Sequence, residues 1–337
     1  KTSSVDNLSF DTISDTHAVL DNADNADTIS DKNLIIENAV DLATAYSIRE
    51  KTTETTTFNY VTDTYTELTT TDDNRAGESS EHIIGKVVVV SSSIGIDDAL
   101  TLEALVTTDS DGDIAGASLT YETIEDTATR LADNADTNTG GDADIDGKTV
   151  TISGATDLTQ LATIRTRVGN DALVTHTEVE DTYAALSSAS IDDINGMTVT
   201  ATTGGTLAQL ATLKQQVENV LDGNDDPTEV AIGGIATFTH EAVADTLDKI
   251  DDERAENGGA NINGKAITIT NAVGIDDAST LRGLLENNHS NTSFTYNLVE
   301  DTATRLADNV DTDSGDDDIN GKTVTISGAT DLTQLAT

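Results

Sequence analysis

The dipeptide Asp-Thr recurs along this chain, each time just after a strand-like run. It stands at Asp15-Thr16, Asp63-Thr64, Asp126-Thr127, Asp181-Thr182, Asp245-Thr246 and Asp301-Thr302, at successive spacings of 48, 63, 55, 64 and 56 residues. Self-similarity at a fixed period constrains a fold more than any composition does, because each copy must bury its apolar face against the next. Short alternating runs precede most of these dipeptides: FNYV at 58–61, LTYETI at 119–124, TFTH at 237–240 and FTYNLV at 294–299. Helix-like stretches follow, such as EDTATRLADN at 125–134.

A second strand completes each unit. These are NLIIEN (33–38), KVVVVSS (86–92), KTVTISG (148–154), MTVTATT (197–203), KAITITN (265–271) and KTVTISG (322–328). In the third of them Val150 and Ile152 fall on one face and Thr149, Thr151 and Ser153 on the other, the alternation of a strand buried on one side. Thr suits the wet face of such a sheet. A second helix follows. In TDLTQLATIRTRV, Leu158, Leu161, Ile164 and Val168 recur at helical spacing, with Thr156 or Asp157 placed to cap the first turn. DDALTLEALV (97–106), TLAQLATLKQQV (206–217) and DDASTLRGLL (276–285) are its counterparts.

Each unit thus reads strand–helix–strand–helix over about 55 residues, or about 28 per strand–helix pair, a length known from α/β solenoids. The expected fold class is α/β, with tandem units at 1–57, 58–116, 117–171, 172–235, 236–291 and an incomplete 292–337. An α/β solenoid with one parallel sheet and right-handed helical crossovers is the preferred architecture. A string of small βαβα domains with antiparallel pairing is the alternative, favoured by the uneven unit lengths. The run from EDTATRLADN through GKTVTISGATDLTQLAT begins near residue 124 and recurs from residue 299. GIDDA recurs at 95–99 and 274–278, at a similar three-unit distance. Near-identity over such a length marks tandem duplication. The last copy stops at Leu335-Ala336-Thr337, inside a helix its twin completes, so the chain is expected to be a window on a longer array.

Composition agrees with thin, regular layers. Only ten residues are Phe or Tyr, Trp and Cys are absent, and Pro227 and Met197 are single examples of their kind. The formal charge is −45, from 62 acidic and 17 basic residues. Such a charge favours solubility but repels itself, so salt, bound cations or an extended body must offset it. Nucleic acid binding needs clustered Lys and Arg, so nucleic acid is a poor partner, and an anionic membrane surface is disfavoured for the same reason. No stretch approaches the ~18 apolar residues of a membrane span. Residues 1–30 lack the pattern of a signal peptide, so a secreted parent would carry its signal elsewhere.

The strand, the Asp-Thr-Ala-x-x-Leu-Ala motif (Asp126 to Ala132, and again Asp301 to Ala307), the Val/Ile-Thr-Ile strand and the Leu-x-x-Leu-Ala helix together resemble repeats of giant bacterial surface proteins, adhesin-like and calcium-associated. The likeness implies a surface or matrix role without catalysis, and it carries over no active-site residues.

Calcium is the cofactor to consider. Asp142, Asp144 and Asp146 before Gly147, and Asp316, Asp318 and Asn320 before Gly321, have the opening spacing of an oxygen-ligand loop. Position 12 holds Ser153 and Ser327 instead of Glu, so neither is an EF-hand; the other reading is an acidic loop ending in an Asp-Gly or Asn-Gly turn. Asp109, Asp111 and Asp113 form a third alternate-carboxylate loop. Catalysis finds no support: His17, His82, His176, His240 and His289 are scattered, and no Ser sits in a nucleophile elbow. TTETTT (52–57) and Asn291-Thr292-Ser293 are candidate glycan acceptors on an exported chain, and more simply polar loop and strand edge.

The expected function is therefore a structural repeat segment of an extracellular or cell-surface polymer: filament, sheath, surface layer or stalk. Self-association or contact with neighbouring repeats is the expected partnership. The alternative is an adhesin module recognising a surface glycan or another cell. A cytoplasmic protein of a salt-accumulating organism is a third class, resting on acidity alone.

Overall fold

A computed structural model describes residues 10–69, 83–109, 112–134, 145–218, 236–256, 258–277, 280, 283, 293–308, 319 and 321–328. The chain is mixed α/β. In order, its strands are β1 (Thr12–Asp15), β2 (Asn33–Ile36), β3 (Thr56–Phe58), β4 (Tyr60–Asp63), β5 (Val87–Val90), β6 (Thr108–Asp109), β7 (Gly112–Asp113), β8 (Ser118–Tyr121), β9 (Thr123–Thr127) and β10 (Thr149–Ser153). Then come β11 (Ala155–Thr156), β12 (Val174–Thr175), β13 (Glu178–Asp181), β14 (Thr198–Ala201), β15 (Thr237–His240), β16 (Ala242–Asp245), β17 (Ala266–Ile269), β18 (Ser293–Tyr296), β19 (Leu298–Thr302) and β20 (Thr323–Ser327). Short helices stand between most of them.

Two compact units divide the chain: residues 1–154 with 160–175, and residues 155–159 with 176–337. The first holds the sheets β1–β2–β3, β4–β5–β8 and β12–β10–β9, and the second holds β11–β13–β14–β15, β16–β17–β18 and β19–β20. Every pairing in these sheets is parallel. Only the β6/β7 hairpin, among the described residues, is antiparallel. Parallel neighbours need crossovers, and the helices supply them.

The strand preceding four of the Asp-Thr dipeptides is broken in two at a single residue. Asn59 separates β3 from β4, Glu122 separates β8 from β9, Glu241 separates β15 from β16, and Asn297 separates β18 from β19. The two halves pair with different neighbours: β3 lies beside β2, β4 beside β5. Bridges Val40↔Val61, Ile94↔Ile124, Gly205↔Val243 and Val273↔Val299 carry the parallel pairing on beyond β2, β5, β14 and β17.

Alternation fixes the buried face. Val150, Ile152, Val199, Ala201, Ile267 and Ile269 are buried, while their Thr neighbours point away. In the second unit Leu210, Leu213 and Val217 of helix Leu207–Glu218 close over this strand layer, at the i, i+3, i+7 spacing of one helical face. Each fully buried aliphatic side chain contributes roughly 1.5–3 kcal/mol before entropy is counted.

The turns leading into β5, β10, β14 and β17 need glycine. Gly85, Gly147, Gly196 and Gly264 have φ of 73°, 68°, 77° and 72°, the left-handed region where a Cβ is strained. The N–H groups of Gly85, Gly147 and Gly196 donate to the carbonyls of Val106, Val168 and Val217 at 2.9, 3.0 and 3.0 Å. Each turn thereby satisfies an open carbonyl in the last turn of the helix that follows its own strand.

Candidate functional site

Of the side chains singled out by spacing, Asp109, Asp113 and Asp146 belong to described residues. Asp142, Asp144, Asp316, Asp318, Asn320 and Asp111 lie outside the described residues. Asp146 precedes the Gly147 turn, and a Cβ built on Gly169 would sit 3.2 Å from its Oδ1. Asp109 and Asp113 belong to β6 and β7, where they pair with Gly112 and Thr108, not with each other. Among the described residues no three His, Cys, Asp or Glu side chains converge as a metal site.

The repeated Asp-Thr has a definite role. Asp63, Asp126, Asp181, Asp245 and Asp301 each accept at Oδ1 from the N–H of the following Thr, at 2.6–2.8 Å. The second oxygen reaches back to the previous strand–helix pair. Oδ2 accepts from the first helical N–H of Leu42, Ile96, Leu158, Leu207 and Ile275, at 2.9, 3.0, 3.1, 2.9 and 3.1 Å respectively. The alternate helices are met by neutral acceptors from the next strand: Asn38 to His17, Ser92 to Tyr65, Thr203 to Tyr183 and Asn271 to Leu247, at 2.9–3.0 Å. In four copies the Thr of the dipeptide also caps its own helix, whereas Thr16 makes no side-chain cap bond. Thr64, Thr127, Thr182 and Thr302 accept at Oγ1 from Glu67, Arg130, Ala185 and Arg305. Asp-Thr is therefore two caps in tandem, one for the previous helix and one for the next. A carboxylate at a helix N-terminus gains from both hydrogen bond and dipole.

An open recess of about 450 Å³ forms where this ladder passes Gly95, lined by Tyr65, Ser93, Asp97, Asp98, Glu125 and Asp126 among others. Its carboxylates are engaged. Tyr65 Oη donates to Asp98 Oδ1 at 2.7 Å, Ser93 Oγ to Glu125 Oε2 at 3.2 Å, and Arg130 Nε to Asp97 Oδ1 at 3.1 Å. Burial, and then the Asp98 bond, pushes the Tyr65 phenol up to about 12. The hydrogen-bonded Arg130 guanidinium holds the Asp97 carboxyl below its ordinary range. The same arrangement recurs in the second unit, where Arg305 pairs with Asp276 and with Asp301. Of the groups lining the recess, Asp126 holds a helix start, through the Ile96 N–H.

A second repeated device joins lysine to an aromatic ring. Lys32, Lys86, Lys148 and Lys322 lie over Phe10, Phe58, Tyr121 and Tyr296, 4.6–5.3 Å from the ring centres. Burial lowers the Lys86 ammonium, which also donates to the Phe58 carbonyl at 2.8 Å. His176 and His240 follow Thr175 and Thr239 as Phe58, Tyr121 and Tyr296 follow Thr57, Thr120 and Thr295. Both are buried, with Nε2 bonded to the carbonyls of Asp193 and Asn261 at 2.9 and 2.7 Å.

The partners of these aspartates are more than twenty residues away, which is why local spacing did not reveal them. The available signal was redundancy: two adjacent cap-type residues where one helix needs one cap. Compared with known protein families, curated proteins and solved structures, the chain matches none of them.

Proposed function

We propose that this chain is a structural repeat segment of an extracellular or cell-surface polymer, built as an α/β solenoid. The observation that carries the reading is the aspartate ladder. Five helix N-termini are completed by a carboxylate from the next strand–helix pair. A module whose first helical N–H finds its acceptor on its successor, beside any cap of its own such as Asp41 or Thr206, is unfinished alone and finished in a row, which is the logic of an array. Parallel pairing within every main sheet supports the same reading.

The role is mechanical and electrostatic: repeated caps propagate rigidity, and the carboxylates of a chain of charge −45 hold water and cations. The likeness to giant adhesin-like surface proteins supports an extracellular or cell-surface location. Calcium is the proposed counter-ion at the loops holding Asp142 to Asp146 and Asp316 to Asn320. No catalytic activity is assigned. Small-angle scattering tests the architecture: twelve stacked strands extend to roughly 55 Å along the stack, and a compact particle of equal axes rejects the solenoid. Mass spectrometry of a washed cell-surface fraction tests the location, and recovery only from the cytosol rejects it.

A further inference from the structure

The outward face of the sheets is where this chain withholds its charge. On β4, β5 and β8 the outward residues are Tyr60, Thr62, Val87, Val89, Ser118 and Thr120, opposite the buried Val61, Val88, Val90 and Tyr121. None is charged. Among the described strands of the main sheets, outward carboxylates stand only at Glu125, Glu178, Glu180 and Glu300, in a chain with 62 acidic residues. The face is also partly apolar: Tyr60 is 47% exposed and Ile35 38%. Parallel sheets are ordinarily covered on both faces, and among the described residues the helices cover one.

We propose that this Thr/Val-rich sheet face docks on the same face of a second copy of the chain; the inference rests on the polymer reading and assigns its lateral contact. Charge selects the occupant. Two chains of −45 can approach closely only where carboxylate does not meet carboxylate, and this face is such a place. Small β-branched side chains pack sheet on sheet. A glycan site calls for aromatic platforms and planar polar groups, and these six positions offer one Tyr. Area sets the strength. A three-stranded sheet ~13 Å long with strands ~4.8 Å apart presents on the order of 200 Å². A stable pair needs ~800 Å² per partner, so several sheets must engage together and association strengthens with repeat number.

Sedimentation equilibrium of the whole chain at ~10–300 μM, in low salt and in ~1 M NaCl, tests this by screening the surrounding carboxylates. The expected result is a mass that rises toward the dimer with concentration, and further with salt. Val89→Glu with Thr120→Glu should abolish the rise while leaving the circular dichroism melt within a few degrees of the parent. Ala104→Glu, an exposed position on the helix side, should leave it intact. A chain monomeric throughout, or a dimer that Ala104→Glu disrupts as strongly as the double variant, overturns the docking face. A salt-independent mass with retention on immobilised glycan, blocked by the double variant, overturns it in favour of a sugar ligand. Scattering tests the polymer reading separately when it is recorded on the Val89→Glu, Thr120→Glu variant, or at a concentration where sedimentation shows a monomer.

Discussion

Asp245 Oδ2 accepts the N–H of Leu207 at 2.9 Å, across 38 residues of sequence, while Oδ1 accepts the N–H of Thr246 at 2.8 Å. Asp245 is 8% exposed, so water is a poor substitute for either donor. Asp245→Ala strands two N–H groups, one at the start of helix Leu207–Glu218. Loss of a cap costs ~0.5–2 kcal/mol, and leaving buried donors unmade places this variant at the upper end. Asp245→Asn keeps one acceptor oxygen and should lose about half as much. Urea unfolding checks the order: parent, Asn variant, Ala variant. Equal midpoints for all three reject the ladder as a stabilising element.

The strands and helices were legible in the sequence because their signals are local. Val150 and Ile152 alternate with Thr at period two, and Leu161, Ile164 and Val168 recur at the helical period; all five are buried in the sense those periods require. The Asn-Gly and Asp-Gly turns were legible for the same reason, and Gly147 and Gly196 adopt the positive φ such turns require. Two things were not legible. The break at Asn59 divides FNYV, read as one strand, between two sheets, because each half answers to a different neighbour. The double duty of Asp126 depends on Ile96, 30 residues earlier, and no window of local periodicity spans that distance.

Close approach at Gly204 and Gly205 gives a second test. A Cβ on Gly204 would lie 3.1 Å from the Val243 carbonyl carbon and the Ala244 nitrogen, both backbone atoms of a paired strand. A Cβ on Gly205 would meet the Tyr183 ring at 3.0–3.2 Å. Backbone in a ladder yields less easily than a ring at a half-buried position. Gly204→Ala should therefore destabilise more than Gly205→Ala, each within the ~1–3 kcal/mol of overpacking. Tyr183→Ala should suppress most of the Gly205→Ala effect and none of the Gly204→Ala effect. Thermal melts of the parent, the three single variants and the two doubles with Tyr183→Ala measure this, and additive losses at Gly205 and Tyr183 contradict the contact.

His240 predicts a pH dependence. Burial lowers its pKa below the free value of 6.5; the Asn261 carbonyl opposes this, Lys265 adds to it and Glu253 opposes it. The unfolded chain therefore binds a proton at higher pH than the folded one. Stability from this group is complete above 6.5 and is lost as pH falls from there through the folded value. His240→Tyr places at this position the residue found at 121 and 296. The drop in urea midpoint from pH 7.5 to 5.5 should be smaller in that variant than in the parent. An identical drop assigns the pH dependence elsewhere.

Calcium and salt act on the same repulsion by different routes, so they must be separated. Screening by any salt relieves a charge of −45, the Debye length falling to ~8 Å near physiological ionic strength and ~3 Å at 1 M. A bound cation goes further, because it is coordinated by particular carboxylates. At fixed ionic strength, millimolar CaCl2 should raise the melting temperature above that in NaCl, and a chelator should return it. Asp142→Asn with Asp144→Asn and Asp146→Asn should halve the calcium increment, the loop at Asp316 to Asn320 supplying the remainder, while the response to NaCl stays unchanged. Melting that follows ionic strength alone, with no calcium increment to remove, makes these loops plain acidic turns and leaves screening as the means by which the chain tolerates its charge.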